Sequence, residues 1–193
     1  NKITVIPNSI DAPCSYTLTT GGYIAYIGRL SYEKGYDLLV EVARKHPEIK
    51  FRFAGAQREQ KNTDIPSNVE FAGYLQKDKL LEFIQKARFI VIPSRCYEGF
   101  PMAILEAACH GKPAIASNHG GFTEIIGQGE NAIGKLFEPG NTDDLDKQIA
   151  ELWNNQTLTE ELGEKAFRKL KKHYDSEVVY KQWETLFSKL KNS

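Results

Sequence analysis

The stretch RFIVIPSRCYEGFPMAILEAACHGKPAIAS, residues 88–117, contains two apolar runs joined by a turn and a short helical segment. The first run is apolar at consecutive positions, which is typical of a parallel strand covered on both faces. Gly99 and Pro101 then mark a turn into a helix, because glycine permits close backbone approach and proline suits the first helical turn. Residues 113–117 form the next strand. This strand–helix–strand unit predicts an α/β protein.

The same alternation continues on both sides of this unit. Segments with the apolar spacing of strands or helices follow one another at 22–28, 36–46, 49–55, 68–74, 77–87, 122–127 and 134–139. Strands that alternate with helices in this way form a parallel sheet with right-handed crossovers. The predicted fold class is therefore α/β, a Rossmann-like doubly wound parallel sheet followed by C-terminal helices.

The last part of the chain has a different pattern. After residue 139, charged segments with helical spacing follow one another without a strand, and their predicted N-caps are Asn141, Thr157 or Thr159, and Asp175. In the last of these helices, an apolar stripe consists of Val179, Trp183, Leu186 or Phe187, and Leu190. That stripe packs either on the chain's own sheet or on another domain. We expect one domain over residues 1–193, with helix 175–191 as the element that docks on an absent N-terminal domain.

The composition excludes several classes of protein. Lys plus Arg and Asp plus Glu each total 25 in 193 residues, so there is no net charge to hold nucleic acid or an anionic membrane. No apolar run approaches the roughly 20 residues of a transmembrane helix. The cysteines Cys14, Cys96 and Cys109 are odd in number and widely spaced, which favours a reducing compartment. We expect a cytoplasmic protein, and the strand-like start without an initiator methionine favours one half of a longer polypeptide.

Ligands of open α/β sheets bind at the carboxyl ends of the strands, so the loops there contain the candidate site residues. In the first such loop, Arg29 directly follows a strand and Lys34 precedes a helix, an arrangement that suits a diphosphate. The alternative is that both residues are solvated surface charges.

The second loop is the turn of the opening stretch, where residues 99–102 leave backbone amides free for an anion. Glu106 lies about a turn and a half into the helix, where ribose hydroxyls would satisfy its carboxylate. Glu98 precedes the helix and lies within reach of a sugar attached to the bound phosphate. Taken singly, Glu106 is better explained as an acid in the first turns of a helix, and Glu98 as a solvated loop acid.

Other motifs are absent or weak. The segment EAACHGKP, residues 106–113, departs from a phosphate-binding P-loop at both ends, and no G-x-G-x-x-G follows the first strand. His119, beside a glycine pair, is either a donor to an anion or an ordinary loop residue. No C-x-x-C pair occurs, and we expect no metal site among Cys96, Cys109, His110 and His119.

Together these segments resemble the C-terminal donor-binding domain of retaining glycosyltransferases of family 4. The resemblance covers residues 4–153 and rests on the motifs VIPNSID, YIGRLSYEKGYDLLVEVA, FRFAG, VEFAGYL, ARFIVIPSRCYEGFPMAILEAACHGKPAIAS and GGFTEII, in this order. Glu98 and Glu106 match the E-x7-E pair of that family. The resemblance implies one half of a GT-B enzyme, which is built from two Rossmann domains.

The resemblance also implies a role for each matching residue. Arg29 and Lys34 would bind the nucleotide diphosphate and stabilise it as it leaves, while Glu98 would contact the donor sugar at the reacting centre; these three are the implied catalytic residues. Glu106 would hold the ribose hydroxyls. The remaining donor-binding residues would be the amide cradle of Gly99, Phe100, Pro101 and Met102, and the base pocket of Tyr74 and Leu75.

The implied function is transfer of a sugar from a nucleotide diphosphate sugar to an acceptor with retention of the anomeric configuration. A UDP-sugar is the favoured donor, with GDP- and ADP-sugars as alternatives, and no further cofactor is implied. The N-terminal domain would bind the acceptor and supply any contact with a membrane surface, so that this half alone would bind donor without turnover. Two alternatives are a non-catalytic nucleotide-sugar-binding or scaffold domain, and a GT-B phosphorylase, epimerase or sugar-phosphate synthase.

Overall fold

The computed structural model describes residues 3–17, 20–57 and 64–191. Its strands are β1 (Ile24–Ile27), β2 (Phe51–Ala54), β3 (Val69–Gly73), β4 (Phe89–Ile92), β5 (Ala114–Ser117) and β6 (Gly134–Phe137). They form one parallel sheet in the order β3-β2-β1-β4-β5-β6. This order confirms the predicted Rossmann-like doubly wound sheet.

The α-helices of the described residues are α1 (Tyr36–Lys45), α2 (Lys77–Gln85), α3 (Met102–Ala108), α4 (Gly121–Ile126), α5 (Thr142–Asn154), α6 (Gln156–His173) and α7 (Ser176–Lys191). A short 3-10 turn, Tyr32–Lys34, precedes α1. The predicted segments overlap these elements, with ends that differ by one or two residues.

Apolar side chains bury the sheet on both faces. Phe83 of α2, Leu105 of α3 and Phe122 of α4 belong to the cluster on one face. Leu39 of α1 and Leu145 of α5 belong to the cluster on the other face. Strand β4 is buried at every position, as its run of consecutive apolar residues predicts.

The reversal of strand order between β1 and β4 positions the candidate site. From β1 the chain continues to β2, and from β4 it continues to β5, in opposite directions across the sheet. The loops after β1 and β4 therefore meet at the carboxyl edge of the sheet. Gly35, at the start of α1, touches the end of β4 so closely that a Cβ atom there would lie 1.8 Å from the carbonyl oxygen of Pro93.

The N-caps of the last helices are partly as predicted. Asn141 caps α5 through its side chain, which accepts hydrogen bonds from the backbone N–H groups of Asp143 and Asp144. The prediction of Thr157 or Thr159 for α6 is wrong, because Asn155 caps this helix by accepting from the N–H of Leu158 at 3.0 Å. Thr159 is buried within α6 instead, where its hydroxyl donates to the carbonyl of Leu152 at 2.7 Å. A single residue thus separates α5 from α6.

Helix α7 follows Asp175, whose carboxylate accepts a hydrogen bond from the N–H of Glu177 at 3.3 Å. Its apolar stripe is only partly packed: Val179 is 3% exposed, whereas Trp183, Phe187 and Leu190 are 43%, 61% and 64% exposed. The alternative in which the whole stripe packs on the chain's own sheet is therefore wrong. Within the described ranges, no helix has both the length and the apolar character needed to cross a bilayer.

The contact of Gly35 with β4 predicts a large cost for Gly35→Ala. Gly35 has φ +69°, and an added Cβ would also clash with Pro93. Gly140 has φ +80° but open space around the same position. A left-handed alanine alone costs about 1–2 kcal/mol, so Gly140→Ala should lose this amount. Gly35→Ala should lose about 3–5 kcal/mol, in the range of severe core changes.

Urea unfolding of both variants, followed by circular dichroism, measures this difference. Equal losses for the two variants would show that the close approach of the two loops contributes nothing to stability.

Candidate functional site

The loops after β1 and β4 are joined by an ion pair between predicted site residues. The ammonium of Lys34 contacts Oε1 of Glu98, although the two residues are 64 positions apart in sequence. Both side chains are mostly buried. Solvent and salt screen the attraction between two such charges less than the attraction within a surface pair. The structure therefore brings together a cation and a carboxylate at the reversal of strand order, where α/β sheets bind ligands.

Arg29, the other predicted cation, lies at the rim of the same crevice. One of its terminal nitrogens contacts Glu33 at 2.8 Å, and its side chain is 42% exposed. Exposed pairs of this kind contribute on the order of 0–1 kcal/mol. Arg29 can therefore exchange Glu33 for a stronger anion at little cost.

Ser94 links the turn before α1 to the loop after β4. Its hydroxyl is within 3.2 Å of the carbonyl oxygen of Cys96 and 3.5 Å of both the Glu33 carbonyl and the Glu98 carboxylate. The residue is completely buried. A short polar side chain thus fixes the backbone that carries Glu98.

The start of α3 differs slightly from the prediction. Pro101 does not occupy the first helical turn; it is the N-cap in an extended conformation, and the helix begins at Met102. A β-region N-cap leaves the first amides of the helix without intrahelical partners, and no side chain caps them. Phe100 packs its ring against Tyr174 at 5.7 Å. At Gly99 an added Cβ would meet no atom within 4 Å, which leaves the backbone open to a ligand.

A second glycine, Gly121 at the start of α4, supports this turn. Its N–H donates to the carbonyl of Glu98 at 2.8 Å, and a Cβ at Gly121 would lie 2.4 Å from the carbonyl oxygen of Gly99. Only glycine permits this approach. The loops after β1, β4 and β5 therefore form one connected unit.

Glu106 is the fifth residue of α3 and is partly buried. Burial raises the pKa of its carboxyl above the usual value. The pKa of the Cys109 thiol is raised to about 11, first by the burial of that thiol and second by the nearby charge of Glu106. Among the described residues no hydrogen bond or ion pair satisfies the Glu106 carboxylate. Partial burial removes some of the water around this carboxylate, and hydrogen-bond donors from a ligand would offset that cost.

Tyr74 and Leu75 follow β3, at the carboxyl edge but far from the ion pair in the sheet order. Tyr74 is 69% exposed, whereas Leu75 packs against the core and lines an open pocket of about 410 Å³. Three strand spacings of about 4.8 Å each separate β3 from β4. The structure therefore does not bring these two residues into contact with Lys34 or Glu98.

His119 has a structural role that argues against donation to an anion. Its Nε2 lies 3.0 Å from the carbonyl oxygen of Ser94, which can only accept, so Nε2 carries the proton. In this tautomer Nδ1 is an acceptor; it is buried, and no described atom bonds to it. The ring lies between Tyr97 and Phe122, with centroids 4.8 and 5.7 Å away. These contacts favour the alternative in which His119 is an ordinary loop residue.

Sequence patterns missed two residues of this unit, Ser94 and Arg95. Arg95 forms an ion pair with Asp37 of α1, 58 positions away. The only signal available was that a charged residue follows a buried strand directly. Nothing in local spacing shows which carboxylate it meets. In the described ranges, no group of three or more His, Cys, Asp or Glu side chains could hold a metal ion.

Comparison with known proteins gives a consistent result. The family model for glycosyl transferases group 1 matches residues 17–169. The chain is 33% identical over 170 residues to an uncharacterised glycosyltransferase of Methanocaldococcus jannaschii, covering 85% of this chain and 47% of that protein. It is 30% identical over 175 residues to the sulfoquinovosyl transferase SQD2 of Arabidopsis thaliana, covering 88% of this chain and 32% of that protein. The chain thus spans about half or less of these relatives.

A solved structure with the same fold is that of the Anabaena protein Alr3699/HepE, crystallised in complex with UDP and with UDP-glucose. The UDP complex superposes with a TM-score of 0.77 at 20% identity, over 88% of this chain and 49% of that chain. At this identity the likeness shows a common fold.

The burial of Glu106 predicts that Glu106→Gln stabilises the free chain at neutral pH. Because its pKa is raised in the fold, the ionised carboxylate destabilises the native state above that pKa. The penalty disappears as the pH falls below the unfolded value, which is about 4.3 for Glu. Glu106→Gln should therefore raise the melting temperature at pH 7 and lose this advantage near pH 4.

Thermal unfolding at both pH values measures the effect, with Glu161→Gln at an exposed position of α6 as the control. A melting temperature at pH 7 that is unchanged or lower in Glu106→Gln would contradict a cost from the partly desolvated Glu106 carboxylate.

Proposed function

The chain belongs to the glycosyl transferases group 1 family, and on that basis we propose that it binds a nucleoside diphosphate sugar as the donor-binding half of a retaining glycosyltransferase. The observation that carries this proposal is the Lys34–Glu98 ion pair at the reversal of strand order. In this proposal the cation of the pair binds phosphate and the carboxylate beside it binds the sugar, so that the pair holds the sugar–phosphate bond.

Lys34 is suited to bind the phosphate at the sugar–phosphate bond that breaks. An ammonium group has three donors, so one can remain on Glu98 while the others bind oxygens of the β-phosphate. Arg29, released from Glu33, adds a second cation at the rim. As the bond between the anomeric carbon and the diphosphate breaks, negative charge grows on the leaving diphosphate, and these two cations stabilise it. The uncapped amides at the start of α3 lie in the same loop as Glu98 and support the same charge.

Glu98 and Glu106 bind hydroxyl groups in this proposal. Glu98 accepts from hydroxyls of the donor sugar, and its contact with Lys34 sets the sugar's position relative to the phosphate. Glu106 accepts from the ribose diol. Its burial without a protein partner favours this role, because hydroxyl donors compensate a buried charge.

Tyr74 and Leu75 receive the base. From β4 to β3 the sheet extends by about 14 Å, three strand spacings, which a nucleoside diphosphate sugar can span. We favour a UDP-sugar because a protein of the same fold binds UDP and UDP-glucose. The free thiols of Cys14, Cys96 and Cys109 agree with a cytoplasmic site of reaction, which is part of the proposal.

The acceptor site belongs to another domain in this proposal. The chain spans 47% and 32% of two relatives in its family, which leaves room in such proteins for a second domain. The exposed apolar face of Trp183, Phe187 and Leu190 on α7 is the surface that docks on that domain. This chain alone then binds donor without transferring the sugar.

Calorimetric titration with UDP, GDP, ADP and their glucose conjugates tests the donor site. One nucleotide should bind. Lys34→Ala and Arg29→Ala should each weaken its affinity about 10- to 100-fold, because each removes a charged hydrogen bond of about 1.5–3 kcal/mol. Lys45→Ala is the matched control, because Lys45 pairs with Asp143 at 2.8 Å at the opposite end of α1.

Failure of every nucleotide to bind the folded chain would contradict the proposal. So would binding that survives both substitutions unchanged.

The docking role of α7 predicts that substitutions at its exposed apolar positions change association, whereas a substitution at its buried position changes stability. We expect the exposed apolar face to cause self-association of this chain, and Trp183→Glu with Phe187→Glu should reduce it while leaving stability within about 0.5 kcal/mol, as is usual for exposed positions. Val179→Ala should cost about 1–3 kcal/mol, because Val179 is buried. Sedimentation velocity and thermal unfolding measure the two effects. Unchanged self-association after the double substitution would contradict an apolar docking face.

A further inference from the structure

Arg95 connects the loop after β4 to the start of α1 by a bidentate ion pair. Its two terminal nitrogens donate to the two carboxylate oxygens of Asp37 at 2.7 and 2.9 Å. Both side chains are largely withdrawn from solvent. Paired N–H···O bonds of this kind fix orientation as well as distance. The ion pair therefore locks helix α1 to the loop that carries Glu98.

The same residue holds the turn before α1, Tyr32–Lys34. A terminal nitrogen of Arg95 donates to the carbonyl of Tyr32 at 2.6 Å, and the backbone N–H of Arg95 donates to the carbonyl of Glu33 at 2.8 Å. The guanidinium also lies 4.0 Å from the centre of the Tyr32 ring. These contacts converge on the two residues that directly precede Lys34.

We propose that Arg95 is a positioning residue that fixes the turn Tyr32–Lys34, and so holds Lys34 in place for the donor diphosphate. The inference rests on the proposed donor site and extends it to a residue that does not touch the donor. A lysine ammonium at the end of a flexible side chain binds best when its backbone is already immobile, because less freedom is lost on binding. Arg95, through Asp37 and two carbonyl groups, supplies that immobility.

The contacts of Arg95 distinguish it from a direct phosphate ligand. Three of its bonds already lead from the guanidinium to protein oxygens. Arg29, by comparison, contacts Glu33 through one nitrogen, and its side chain is twice as exposed as that of Arg95, at 42% against 21%. Lysine at position 95 would keep the charge but could not reproduce the two parallel bonds to Asp37.

Asp37→Asn is the decisive variant, because positioning and simple charge predict opposite signs. Removing a carboxylate near a site for an anion strengthens binding if only the Coulomb interaction changes. If the ion pair positions Lys34, the substitution weakens binding of the diphosphate. We expect Asp37→Asn and Arg95→Lys each to weaken UDP binding about 5- to 30-fold, the factor that corresponds to one or two kcal/mol.

NMR titration of this chain with UDP and with uridine measures the effect and separates positioning from general damage. Uridine lacks the diphosphate, so its affinity should change less than about twofold, which is the usual range for surface substitutions. The control is Arg44→Lys, which alters another guanidinium–carboxylate pair: Arg44, in the last turn of α1, contacts Asp64 at 3.2 Å. It should leave UDP affinity unchanged.

Three outcomes would overturn the inference. UDP binding to Asp37→Asn that is equal to or tighter than binding to the unchanged chain would show that Arg95 does not act through this pair. Equal loss of UDP and uridine would show general destabilisation. If the unchanged chain binds none of UDP, GDP and ADP, the proposed function fails, and this inference fails with it; binding by the unchanged chain separates the two cases.

Discussion

The ion pair between Lys34 and Glu98 depends on the order of strands in the sheet. Each residue follows a different strand, and the two strands are neighbours only because the chain reverses direction between β1 and β4. Gly35 and Gly121 then permit the loops to approach without side chains between them. The chemistry of the site is thus a consequence of how the sheet is wound, since no short segment of sequence contains both charges.

Several features reduce the stability of the free chain, and each coincides with a place where a ligand or domain is proposed. The Glu106 carboxylate is partly desolvated, and no side chain caps the first amides of α3, next to the open space at Gly99. Trp183 and Phe187 expose apolar surface. Such costs are tolerated where function requires them. By contrast, Arg95, Asp37 and Ser94 form hydrogen bonds within the protein. These bonds support the loops that contain Lys34 and Glu98.

The sequence was sufficient for the fold, because the patterns of strands and helices are local in sequence, whereas the roles of the candidate site residues belong to the proposal. The consecutive apolar residues of β4 predicted a buried parallel strand, and Asn141 predicted the start of α5. Asn155 and Arg95 were missed for physical reasons. The cap of α6 depends on a sharp turn after α5, and the partner of Arg95 lies 58 residues away, so that both are decided by tertiary packing.

A crystal structure of this chain with UDP-glucose would test the central claim most directly. The account predicts a β-phosphate within hydrogen-bond distance of Lys34 and Arg29, the glucose hydroxyls on Glu98 and the ribose diol on Glu106. It also predicts that Arg95 keeps its bonds to Asp37 and makes none to the nucleotide. A nucleotide bound away from the crevice between the loops after β1 and β4, with the Glu106 carboxylate still without a partner, would contradict it.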